Sequence, residues 1–278
     1  MNSIDPPNLD AGDTYTTCIS RVRDTALKAR LAAITNDVSV ASADYVDKAR
    51  ENRLHEVPRI ANIGGVTTAE LEKVYTQRMA GKAAPGRVAY DEIFNSSAKC
   101  LLCTQRKVDT LDHHLPKAHY PVLAVTPVNL VPACSACNKA KLASAPASAD
   151  ESALHPYFDR IQDDRWLHGL VVEGGPAVVK FRVQAPAHWA VQLTNRVQLH
   201  FDGLDLGDLY SAEAAEELSS IRLQLINIHR TEGMQAVREE LLARGESAAA
   251  SQLNGWRAVT YESFAMSDWF CGGGFALV

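Results

Sequence analysis

Four cysteines form two C-x2-C pairs, Cys100 with Cys103 and Cys134 with Cys137, separated by thirty residues. Two such knuckles suit a single tetrahedral Zn²⁺, because thiolates are soft ligands and their number fills the coordination shell. A filled shell leaves no place for a reacting water, so this metal is expected to be structural. Lys99, Arg106 and Lys107 lie where they can offset the charge of a tetrathiolate centre. Asp112, His113, His114, Asn129 and Asn138 fall between or directly beside the pairs. That grouping suggests a second metal, used for chemistry.

TLDHHLP begins as a β-branched, apolar strand, and Pro116 should end it. CNKAKL suits the opening of a helix, so the oxygens of Asp112 and Asn138 can meet beside a histidine. The full arrangement is C-x2-C, Asp-His-x-x-Pro, then Asn-Leu-x-x-x-Cys-x2-Cys-Asn-x2-Lys. Over Lys99–Leu142 it resembles the HNH endonucleases, in the zinc-stabilised ββα-metal form whose last motif residue is Asn. YDEI at 90–93 and HPYFD at 155–159 are similar to segments that flank such motifs in bacterial HNH proteins.

The resemblance implies that His113 is the general base and that Asp112 and Asn138 hold a divalent cation. It also implies that Asn129 braces the loop that orients the histidine. A near-neutral imidazole can take a proton from water as it attacks phosphorus, leaving 5′-phosphate and 3′-hydroxyl ends. Oxygen ligands favour Mg²⁺ or Mn²⁺ over a second zinc. The doublet keeps another register open, with His113 on the metal and His114 as base, since strand alternation puts Asp112 and His114 on one face. The family spacing from His to Pro selects His113. Lys117, Lys139 and Lys141 are expected phosphate contacts, while His119 and His155 read either as auxiliary ligands or as ordinary surface or hydrogen-bonded histidines.

The rest of the chain must position this stretch. With 278 residues, 46% of them apolar, a full core is available. The net charge of −5 excludes a surface that coats nucleic acid throughout. Between Lys99 and Lys141, however, six basic residues face Asp109 and Asp112, a local balance of +4 that fits a confined phosphate site. No signal peptide or membrane-spanning run is evident, and thiol pairs used as ligands fit a reducing compartment, so the chain reads as cytoplasmic. Cys18 and Cys271 are expected to be free thiols.

The fold class expected is α+β: a mainly helical protein with a central nuclease module and a small β-hairpin after it. Residues 1–88 read as a helical N-terminal region, with helix over 14–52 broken at Asn36–Ser39, a Gly-Gly turn, and a capped helix from Thr67. Residues 89–160 carry the module, and 161–278 a hairpin plus C-terminal helices, after a linker at ASAPASADESA. The expected function is a metal-dependent DNA endonuclease that nicks one strand, or cuts both when dimeric. By resemblance it is an effector of anti-phage defence or restriction, working beside an ATPase or sensor. The alternative is a non-catalytic zinc module that binds nucleic acid or protein. SDWFCGGGFALV either docks a partner or packs on the chain's own core.

Overall fold

The computed structural model describes residues 1–141 and 145–277. Leu142, which ends the motif stretch, Ala143 and Ser144, which open the expected linker, and Val278 lie outside the described residues. The chain divides into two compact units, Met1–Arg160 and Ile161–Val278, with an α+β and mainly helical composition.

The first unit opens with α1 (Ala11–Ile19), α2 (Thr25–Ala33) and α3 (Thr35–Arg50). Asp10 and Asp24 begin the first two helices by accepting the amides of Asp13 and Leu27. The break expected at Asn36–Ser39 is corrected: those residues lie inside α3, and the chain turns instead at residues 20–24 and at Ile34. Asn36 and the acidic Asp37 sit in the first turn of α3, where short polar and acidic side chains are favoured. They mark a start and were read as a stop.

A hairpin follows, β1 (Asn62–Ile63) against β2 (Val66–Thr67). Gly64 and Gly65 have φ of 56° and 76°, as a two-residue turn with both centres left-handed requires. Thr67 and Glu70 form a reciprocal capping box that opens α4 (Thr68–Arg78), and α5 (Arg87–Phe94) leads to the first cysteine pair.

Next come β3 (Thr110–His113) and β4 (Leu130–Ala133), antiparallel, with Asp112 opposite Val131 and His113 opposite Leu130. Helix α6 (Ser135–Lys141) follows β4 almost at once, giving a strand, strand, helix succession. One apolar core joins Tyr15, Val38, Tyr45, Leu71, Met79 and Ile93 to Leu111, Leu123 and Leu130. Residues before and after the expected boundary at 88 therefore belong to one packed body.

The second unit starts with β5 (Leu167–Val172) and β6 (Val178–Val183), an antiparallel hairpin whose Val171, Val179 and Phe181 point inward. Helices α7 (Val191–Gly203), α8 (Leu206–Ser251), α9 (Trp256–Met266) and α10 (Asp268–Cys271) complete it. Gly233 interrupts α8 with φ 80° and ψ −172°, a conformation open almost only to glycine. Gln224 hydrogen-bonds to both Glu240 and Arg244. Sixteen residues of straight helix would span roughly 24 Å, so these bonds require α8 to double back at Gly233. The terminal aromatic residues pack within this unit: Phe270, Cys271 and Phe275 are buried, and Phe270 stacks on Phe264 at 4.0 Å between centroids.

Candidate metal and catalytic site

Each cysteine pair sits on a tight turn. In the first, Thr104 adopts φ 59° and donates its amide to the Cys100 carbonyl at 2.8 Å. The turn aims the backbone amides of Gln105 and Arg106 at the Cys103 sulfur. In the second, the Cys137 amide donates to the Cys134 sulfur at 3.4 Å, at the start of α6. All four sulfurs are buried and lie within 4.8 Å of one another, with Cys103 and Cys134 at 4.0 Å. A tetrahedral zinc with Zn–S of about 2.3 Å needs sulfurs roughly 3.8 Å apart, so the donor set and its spacing fit a structural metal such as zinc.

Without a metal, mutual hydrogen bonds favour the thiolate at Cys103 and hold Cys100 and Cys137 as thiols. Hydrogen bonds from Cys100 and Cys137 push the Cys103 thiol far below its usual range, and the same contact drives Cys100 up to about 12. Partial burial opposes ionisation of Arg106, yet Cys103, Cys134 and Cys137, with a hydrogen bond to Cys134, hold its guanidinium above the ordinary value. Of the three cations expected to offset the cluster, Arg106 is the one that touches it.

Asp112 and Lys141 meet at the end of β3. Asp112 is 5% exposed, and burial raises its carboxyl pKa above the usual range although Lys141 and Lys117 oppose the shift. Lys141 on α6 donates to Oδ2 of Asp112 at 2.6 Å and to the His113 carbonyl at 2.8 Å. Asn138 lies one turn earlier on the same face of α6 and is half-buried.

His113 and His114 part company because β3 ends between them and the chain bends. The His113 ring lies edge-on to Tyr75 of α4, with centroids 4.4 Å apart and planes at 73°. Its Nε2 is 2.8 Å from the Ala124 carbonyl. A carbonyl only accepts, so Nε2 carries the proton and the lone pair sits on Nδ1. Burial lowers the His113 pKa to about 3, which keeps the ring neutral near pH 7. The His114 ring instead stacks on His155, 4.0 Å away. His155 accepts the Tyr157 amide on Nδ1, so its Nε2 donates to the Tyr45 hydroxyl at 2.8 Å.

Asn129 is fully buried and ties the connecting loop together. Its Oδ1 accepts the Leu115 amide at 2.8 Å, and its Nδ2 donates to the carbonyls of Leu115 and Leu123. Leu123 adjoins Ala124, whose carbonyl orients His113, so the amide braces the support of that ring.

Among the expected phosphate contacts, Lys139 is exposed on α6, and Lys117 is half-buried with its charge felt by Asp112 and His113. Lys141 does not face outward as expected, being 13% exposed and paired with Asp112. His119 is exposed, whereas His155 is a buried, hydrogen-bonded residue. Sequence reasoning missed Tyr45 and Tyr75. Both sit in apolar periodicity with buried neighbours, Tyr45 with Val38 and Ala49, Tyr75 with Leu71, and so read as core.

Protein Ea31 of Escherichia phage lambda is 31% identical to this chain over 239 residues, covering 80% of each. No protein-family model matches the chain. No solved structure matches it.

Proposed function

The chain belongs to the family of the phage lambda protein Ea31, and we propose that this member is a metal-dependent HNH endonuclease that hydrolyses DNA phosphodiester bonds. One observation carries the reading: a buried histidine held by a backbone carbonyl stands next in sequence to a buried carboxylate at the end of the first strand of a ββα succession.

His113 takes a proton from water through Nδ1 as the water oxygen attacks phosphorus. The bond to the 3′ oxygen breaks, that oxygen gains a proton, and the phosphate stays on the 5′ end. Asp112 and Asn138 offer hard oxygens to Mg²⁺ or Mn²⁺ beside the attacked phosphate. When bound, the ion stabilises the charge on the pentacovalent phosphorus and the departing oxygen. Asn129 and Tyr75 keep the His113 ring at its angle. Lys117 and Lys139 meet the flanking phosphates. Zinc in the four-cysteine site would hold the turn at Cys100–Thr104 to the junction of β4 and α6.

Nicking of supercoiled plasmid in Mg²⁺ tests this. His113→Ala and Asn138→Ala should lower the rate by at least about 100-fold, with zinc content and circular dichroism unchanged, and His114→Ala should act mainly on folding. A well-folded, zinc-loaded protein inert on supercoiled, linear and single-stranded DNA would favour the binding-module reading; normal cleavage by His113→Ala would remove His113 as the base. An effector role beside an ATPase or sensor is part of the proposal, tested by co-purification with the products of adjacent genes.

A further inference from the structure

Lys141 turns its charge inward. Its ammonium lies 2.6 Å from Oδ2 of Asp112 and 2.8 Å from the carbonyl oxygen of His113, with side-chain exposures of 13% for Lys141 and 7% for Asp112. Both acceptors are hard oxygens of the kind Mg²⁺ and Mn²⁺ prefer. Asn138, the other proposed ligand, is one helical turn before Lys141 on the same face of α6. The ammonium therefore rests against one of the two side chains proposed to hold the divalent ion, as a built-in counter-charge at that carboxylate.

We propose that Lys141 is a tethered competitor of the catalytic cation. Its ammonium neutralises Asp112 in the metal-free protein and opposes the entry of a second cation at that carboxylate. A buried carboxylate without a partner is strongly disfavoured, which explains why a cation is kept there. Two cations held a few ångströms apart on one buried carboxylate repel each other, so each weakens the binding of the other. The flexible four-carbon stem allows the ammonium to withdraw without displacing α6. Once released, it stands beside the site as a phosphate contact, the task expected of it from the sequence.

The inference rests on Asp112 being a ligand of the divalent ion. Mn²⁺ binding, followed by electron paramagnetic resonance or calorimetry without DNA, tests both together on the full chain with its thiol site saturated with Zn²⁺. Lys141→Met should bind Mn²⁺ about tenfold more tightly than the native chain, and Asp112→Asn should bind it at least tenfold more weakly. Unchanged or weaker binding by Lys141→Met, with binding still lost in Asp112→Asn, overturns the role of Lys141 alone. Absent binding in every protein, or binding indifferent to Asp112→Asn, overturns both ideas. Should Lys141→Met fail to fold with Zn²⁺ as its only metal, refolding on Mn²⁺ addition supports the competition, and failure to refold at millimolar Mn²⁺ overturns it.

Discussion

Asn129 makes three hydrogen bonds to two backbone positions while wholly enclosed, so few changes are tolerated there. Asn129→Ala strands the Leu115 amide and carbonyl, leaves the Leu123 carbonyl only its bond from the Thr126 amide, and should cost roughly 3 kcal/mol in chemical denaturation. Asn129→Asp keeps an acceptor for Leu115 but sets a carboxylate against the carbonyls of Leu115 and Leu123, and should be no better. Equal stability of all three proteins would show that the brace carries no load. The histidine doublet illustrates the same sensitivity: neighbours in sequence, His113 and His114 meet different partners because the strand stops between them.

At the scale of elements, α3 and α4 are parts of the site's wall, since they bring Tyr45 to His155 and Tyr75 to His113. The start of α4 is fixed by Glu70, which caps Thr67 and pairs with Arg30 of α2 through two bonds. The bond from Arg30, then that from Thr67, lower the Glu70 pKa to about 2. Between that value and the ordinary 4.5 the unfolded chain binds more protons than the folded one, so stability falls as pH drops through this window and is fully present above it. Glu70→Gln should flatten the decline between pH 4.5 and 2 in denaturation curves. An unaltered acid limb would show that exposure and solvent screening cancel the pair.

For the whole molecule, the four-cysteine cluster and the candidate catalytic residues all fall within Met1–Arg160, and Ile161–Val278 has its own core. Among the described residues no helix is long and apolar enough to cross a membrane. Metal held by the thiols would add to the folding free energy of the first unit, which contains them. Differential scanning calorimetry should therefore show two transitions, of which chelator lowers one. Cys134→Ser should reproduce that loss with metal content falling from about one ion per chain to near zero. A single transition insensitive to chelation would contradict the division of stability.

The spacing of the cysteines, the capping box at Thr67–Glu70, the strand stopped before Pro116 and the hairpin at 167–183 could be read from sequence, because each is local chemistry repeated over a few residues. Local pattern also identified Asp112, Asn129 and Asn138 as residues worth grouping. It misread Asn36–Ser39, since a polar first turn and a break use the same residue types. Only the tertiary structure turned Lys141 inward, gave His113 the Ala124 carbonyl and Tyr75, and enlisted Tyr45 from α3. Those are contacts between elements far apart in the chain, and their partners leave no periodic or spacing signal because the same tyrosines serve equally well as core.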